Sequence, residues 1–325
     1  MKFASFALGA AVAALLTCST AGAQESAENY PSKPITIVVS YTPGGFNDQV
    51  ARLLSEDLSN RWNQTVIVDN RPGGGTVVGT DVVAKAEPDG YTLGIAPFAF
   101  AVNPGLFPQL PYDSENDFTN IAILGGTFNV LAANPEFPVN NVQELIDYAK
   151  AHPGEINYGS AGNGSSNHLS AELLKSLTDT DMVHIPYKGS APARTDLIAG
   201  RVDVMFDNFT NFQSLIEAGQ LKALGVSIPQ ESKLLPGVPP ISDTVPNYEV
   251  TVWWGLNAPA GVPEPIVEKI NTAVNEFLQK DKTIETFANQ GVDPIGGTPA
   301  EAEAYVKEQM ETWIPVAKKT QMQVD

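Results

Sequence analysis

Cysteine is almost missing from this chain: Cys18 is the single one, and it stands in an apolar leader. With no second thiol, the chain can close no internal disulfide and build no cysteine zinc site. Histidine is nearly as scarce. His152, His168 and His184 are the three present, and no pair has the HExxH spacing of a metalloprotease helix. The GxSxG pentapeptide of a nucleophile elbow, the GxxxxGK of a P-loop and a GxGxxG after the first predicted strand are also absent. Arg71-Pro72-Gly73-Gly74-Gly75 looks like a phosphate loop but lacks its lysine, and reads as a tight turn. These gaps count against an enzyme, and neither a cofactor nor a metal is expected.

Positive charge is short as well. Nineteen lysines and arginines face 37 aspartates and glutamates, for a formal net charge of -18. Nucleic acid and anionic membranes need basic patches, so neither is an expected partner. The same charge repels small anions at long range, so a site for acids has to work through local donors.

What the chain does have begins at its N-terminus. Met1-Lys2, a run of small and apolar residues over 3–17, and Ala21-Gly22-Ala23 have the form of a cleavable signal peptide, with cleavage predicted after Ala23. A lipid anchor on Cys18 is the alternative, opposed by the bulk of Thr17 before it. Elsewhere no apolar stretch reaches membrane-spanning length. The expected compartment is the periplasm, and the cysteine-free mature chain must rely on a real core.

The hydrophobic pattern then alternates strand and helix, which predicts an α/β fold. Strands are expected at 35–41, 66–69 and 92–96, with helices at 49–61 and 77–85. A proline-rich connection over 103–117 leads to strands at 128–133, 156–160, 182–187, 202–207 and 221–227. Helices at 142–151, 167–177, 191–199 and 212–218 fit between them. A second proline-rich link, 235–246, precedes a strand at 250–258 and helices at 264–279, 282–289 and 300–319. The tail carries no predicted strand and must pack on an existing sheet. This divides the chain into a discontinuous first domain, 24–123 with 251–325, and a second domain, 124–250. Two crossings make a hinge, with a cleft at the carboxyl ends of both sheets.

Two glycine turns face that cleft. The first joins the apolar strand at 35–41 to a helix through Tyr41, Gly44, Gly45, Phe46, Asn47 and Asp48. Free amides at a helix start suit a carboxylate or phosphate, and Asn47 or Asp48 can cap the helix. Asp48 beside an anion would repel it, so its expected task is to cap or to fix the turn. The second turn holds Ser160, Gly162, Asn163, Ser165, Ser166 and His168, again between strand and helix. An ordinary strand-to-helix turn is the other account of the first, and plain helix capping of the second. His168 is open between structural support and ligand contact; His152 reads as a helix-end residue and His184 as a core residue. Strand ends add Tyr187-Lys188-Gly189 and Asp207-Asn208.

With these residues in view, the chain resembles the extracytoplasmic solute receptors of the tripartite tricarboxylate transporters, also called Bug proteins. The resemblance rests on Tyr30-Pro31-Ser32-Lys33-Pro34-Ile35, Pro43-Gly44-Gly45, Asn70-Arg71-Pro72-Gly73, Pro88-Asp89-Gly90-Tyr91-Thr92-Leu93 and Pro111-Tyr112-Asp113. It continues through the run from Asn157 to Gly164, His184-Ile185-Pro186-Tyr187-Lys188-Gly189, Trp254-Gly255-Leu256 and Ala258-Pro259-Ala260-Gly261. It implies a two-lobed periplasmic binding protein of the Venus-flytrap kind, monomeric, that closes on a small carboxylate and hands it to a membrane transporter. In that family the first turn holds one carboxylate through backbone amides and water, while the second turn and Asp207-Asn208 form the opposing wall.

The chain departs from the family pattern at Phe46-Asn47, Ser165-Ser166 and Phe98-Ala99-Phe100. These departures predict a more apolar cleft and a dicarboxylate with an aliphatic or aromatic body rather than a hydroxylated one such as citrate. Core packing is the other account of Phe98 and Phe100. A ligand-presenting sensory receptor, or an enzyme using the same cleft, are the competing classes.

Overall fold

The computed structural model describes residues 26–187 and 190–319. The predicted leader with Cys18 and Ala23, and the Lys188-Gly189 candidates, lie outside the described residues.

The first half of the chain is β1 (Ile35–Val39), α1 (Phe46–Trp62), β2 (Val66–Asn70), α2 (Val77–Ala84), β3 (Thr92–Pro97) and α3 (Ala99–Leu106). A long strand, β4 (Phe118–Ala133), follows, then α4 (Val142–Ala151), β5 (Asn157–Ser160), α5 (Ser166–Thr178), β6 (Val183–Pro186), α6 (Ser190–Ile198), β7 (Val204–Asn208), α7 (Phe209–Glu217) and β8 (Lys222–Val226). The last part is β9 (Thr251–Pro259), α8 (Glu264–Leu278), α9 (Asp281–Ala288), β10 (Asp293–Gly296) and α10 (Pro299–Lys319).

Strand order is β2-β1-β3-β9-β4-β7-β5-β6. The strands β2, β1 and β3 run parallel and β9 runs antiparallel to β3. In the second lobe β7, β5 and β6 are parallel. The strand β4 belongs to both groups. Phe118 to Phe128 pair with β9, whereas Asn129 to Ala133 pair with β7, and the last four of these also with β8. The chain returns where Val250 N–H donates to Ser227 O and Thr251 pairs with Phe128, so both crossings lie side by side. This is the two-lobed α/β architecture of a periplasmic binding protein.

Three elements differ from the sequence expectation. The strand expected at 128–133 begins ten residues earlier, at Phe118, and runs straight through Gly125-Gly126. Those glycines look like turn punctuation, yet they mark a close approach: a Cβ on Gly125 would stand 2.9 Å from Asp293 O. That neighbour belongs to β10, a strand in the tail where none was expected, paired antiparallel with β4. The connection expected from 103 begins inside α3, which carries Pro104 within it. Packing overrides the proline, since α10 lies so close that a Cβ on Gly105 would be 2.7 Å from Ile314 O. The Gly73-Gly74-Gly75 loop is indeed a tight turn; all three have positive φ, and Asn103 Nδ2 donates to Gly75 O at 3.0 Å.

The core is continuous from β1, whose Ile35, Ile37, Val38 and Val39 are fully buried, through Trp253 in β9 to Trp313 in α10. A second apolar cluster, with Phe128, Val130, Phe209 and Phe212, fills the other side of the second lobe. Gly125→Ala is expected to cost about 1–3 kcal/mol, because the new methyl meets backbone rather than a yielding side chain. Chemical denaturation together with amide exchange at Asp293–Gly296 measures it; unchanged stability and protection would mean that β10 shifts freely.

Candidate functional site

The first turn leaves β1 and reverses at Gly44, whose φ of +98° favours glycine. Its shape is held by Asp48. That carboxylate is only 3% exposed, and its Oδ2 accepts the Gly44 N–H at 3.0 Å and Arg52 Nε at 2.9 Å. Asn70 Nδ2 donates to Asp48 Oδ1 at 3.0 Å and to Tyr41 O at 3.1 Å. The bond from Arg52, helped by those from Gly44 and Asn70, holds the Asp48 carboxyl below its usual range despite burial. Asp48 therefore fixes the turn and has no oxygen to offer a ligand. The helix α1 starts at Phe46 rather than Gln49, and its N-cap is Gly45 without a side-chain cap from Asn47 or Asp48. The first amides of α1 are thus left uncapped by side chains, and a Cβ on Gly45 would meet nothing within 4 Å.

Aromatic residues frame this turn. Phe46 is half-buried, its ring 4.3 Å from that of Trp254 and 5.4 Å from that of Phe287. Tyr41 is 38% exposed, yet desolvation pushes its hydroxyl up to about 12. Asn47 Oδ1 is buried with no partner. Phe98 does not join this frame: it is 5% exposed and packs edge-on against Trp313, and Phe100 against Phe118. Core packing accounts for both, because α3 and α10 close over them.

The second turn is built from Ser160 to His168. Gly162 and Gly164 have φ of +125° and +74°. Ser165 caps α5, accepting the His168 N–H at 3.3 Å and donating to Gly162 O at 2.7 Å. Ser160 is buried; its Oγ accepts the Gly162 N–H at 3.1 Å and lies 2.6 Å from His184 Nε2. Gly164 N–H donates to His168 Nδ1 at 3.3 Å. The two imidazoles stack, with centroids 3.7 Å apart at 14°, and the Tyr158 ring lies 4.9 Å from His184 and 6.2 Å from His168, beside the pair. Ser166 opens α5 half-buried, and Asn163 is exposed at the tip.

Asp207 is 2% exposed and occupied on every side. Ser190 Oγ donates to one oxygen; Asn167 Nδ2, Asn211 Nδ2 and the Asn208 N–H donate to the other at 2.9, 3.0 and 2.8 Å. Burial raises its carboxyl, against the pull of those donors. It ties the starts of α5, α6 and α7 together and, like Asp48, is a support and not a contact surface. Tyr187 spends its hydroxyl on Asp196 at 2.7 Å, while its carbonyl lies beneath Gly162. Asn208 Oδ1 is buried without a partner. The lobes meet where a Cβ on Gly164 would touch Leu106 of α3 at 2.8 Å. Sequence reasoning missed Asn70, Arg52, Asn167, Ser190, Asn211 and Leu106. Asn70 and Asn167 stood inside quoted or adjacent motifs, but their partners are distant in sequence. Among the described residues, no group of three or more metal-ligating side chains could hold an ion.

Residues 50–322 match the model for the tripartite tricarboxylate transporter family receptor. The chain belongs to that family. It is 35% identical over 307 residues to Protein BugT of Bordetella pertussis, covering 93% of this chain and 94% of that protein. Among solved structures, Rpa4515 of Rhodopseudomonas palustris, determined with adipate, has a TM-score of 0.76 and 36% identity over 89% of this chain and 97% of its own. MatC (Rpa3494) from Rhodopseudomonas palustris, with bound malate, has a TM-score of 0.74 and 31% identity over 89% of this chain and all of its own. The family's role is periplasmic solute binding.

Burial pulls His168 down to about 3 and His184 to about 4, from 6.5 in the unfolded chain. Between those limits the unfolded chain binds more protons, so their contribution is complete above pH 6.5 and is lost as pH falls. Thermal melts from pH 7 to 4.5 are expected to show a falling Tm, with a shallower slope in His184→Phe. A flat wild-type profile would mean that the rings are solvated.

Proposed function

We propose that this receptor takes a small dicarboxylate with an aliphatic or aromatic body into the cleft between its lobes. It then delivers it to the membrane components of a tripartite tricarboxylate-type transporter. The observation that carries the reading is the pairing of two glycine turns, each at a strand's carboxyl end and each opening a helix. One carboxylate is held at Gly44, Gly45, Phe46 and Asn47, the other at Gly162 to Ser166, with Tyr41, Tyr187 and Asn208 at the sides. Helix-start amides supply partial positive charge without a cation, which suits an acidic chain. Two relatives support the class, one with adipate and one with malate. The Phe46 ring against Trp254 favours an apolar body between the two ends, as in adipate.

A thermal-shift series with adipate, malate, tartrate and citrate tests the class. Adipate is expected to raise Tm most, and strongest stabilisation by citrate or tartrate would overturn the apolar-body assignment. Gly45→Val provides the site test. With φ of -84° and open space around the Cβ position, valine fits the fold but projects toward the ligand. Calorimetry is expected to show binding lost with the melting temperature kept; full affinity would reduce the turn to a structural bend.

A further inference from the structure

We propose that His168 is a positioning residue for the second turn. As a neutral ring it accepts the Gly164 N–H at Nδ1 and, stacked on His184, fixes how the turn is presented to the ligand. The inference rests on the dicarboxylate reading for its ligand and on the geometry for the rest.

Two residues of this turn, Gly162 and Gly164, lie in the left-handed region, which glycine enters freely and leaves as freely. Such a segment presents its amides in a fixed direction only if neighbours hold it. Several side-chain contacts do so. Ser165 Oγ reaches Gly162 O, Ser160 Oγ takes the Gly162 N–H, and His168 Nδ1 takes the Gly164 N–H. The last is selective for protonation state: a nitrogen that accepts carries no proton, so the ring must be neutral with its hydrogen on Nε2.

The surroundings impose that state. His184 lies face to face at 3.7 Å, where two imidazolium ions would repel, and its own Nε2 is engaged by Ser160. From β5, Tyr158 stacks on His184 and gives its hydroxyl to Glu172 at 2.6 Å. From α5 itself, Lys175 pairs with Glu172 at 2.7 Å; the Lys175 charge disfavours protonation of both rings, against the opposing pull of Glu172 on His184. His168 and His184 thus form a stacked pair, braced at its side by the Tyr158 ring. The lowered basicity of both rings agrees with it. An apolar ring of similar size would keep the stack and lose the acceptor, whereas asparagine would keep an acceptor at the γ position and lose the stack.

The experiment compares wild type, His168→Phe and His168→Asn in adipate calorimetry. Nitrogen NMR of the His168 ring and the Gly164 amide is recorded without ligand. Expected are a wild-type Nδ1 that is unprotonated and hydrogen-bonded, adipate binding about tenfold weaker in the phenylalanine variant, and partial recovery in the asparagine variant. Wild-type affinity in His168→Phe, or a proton on Nδ1 in the wild-type ring, overturns the proposal. If the wild-type protein binds no dicarboxylate, it is the ligand reading that fails. The ring tautomer and the Gly164 amide still decide whether His168 holds the turn.

Discussion

A single strand, β4, carries the mechanical logic of this molecule, because its first part pairs in one lobe and its last five residues in the other. Whatever the lobes do relative to each other, they do it about the junction near Phe128, where β9 also starts. The glycines just before that junction let β10 close over the strand, and Thr127 Oγ1 donates to Gly291 O at 2.6 Å across the same place. The tail of the chain thereby clamps the first-lobe side of the hinge. The two binding turns are placed by the strands on either side of this shared element.

Electrostatics sets the second constraint. A protein of formal charge -18 has a global field that repels anions, and in its turns it has spent its nearest carboxylates internally. Asp48 is consumed by Arg52, Asn70 and the Gly44 amide; Asp207 by Ser190 and three nitrogen donors. Each is a buried acid whose stability depends on complete hydrogen bonding, since an unpaired charge at such a site would cost several kcal/mol. In return each fixes a turn from below. The lobes therefore use one device twice: a buried aspartate organises helix starts through side-chain and backbone donors.

This device explains what could and could not be read from the residues alone. Strand and helix types followed from period, and the glycine turns followed from their position between strand and helix. Asp48 was open between cap and support because its three partners sit 4, 4 and 22 positions away, and only the fold shows which it takes. Asp207 read as a strand-end contact because its donors come from three separate helices. The tail strand β10 was invisible for a different reason: Asp-Pro-Ile-Gly has no strand pattern of its own and pairs only because β4 presents Gly125 and Gly126 to it. Phe98 and Phe100 illustrate the limit of composition, since an aromatic near a cleft is indistinguishable in sequence from one packed under a helix.

Phe46 is the residue at which these threads meet. It is the first residue of α1, so its amide belongs to the donor set, while its ring is pinned between Trp254 and Phe287. Aromatic pairs of this kind contribute about 0.5–1.5 kcal/mol each beyond area burial, enough to hold the ring in one rotamer. Through Trp254 that rotamer is anchored to β9, the strand paired with both β3 and β4. A side chain so held presents an apolar ring beside the first amides of α1. The same contacts that orient the first amide of α1 thus also set the polarity of the space beside it, so donor direction and apolar surroundings at this turn are fixed together.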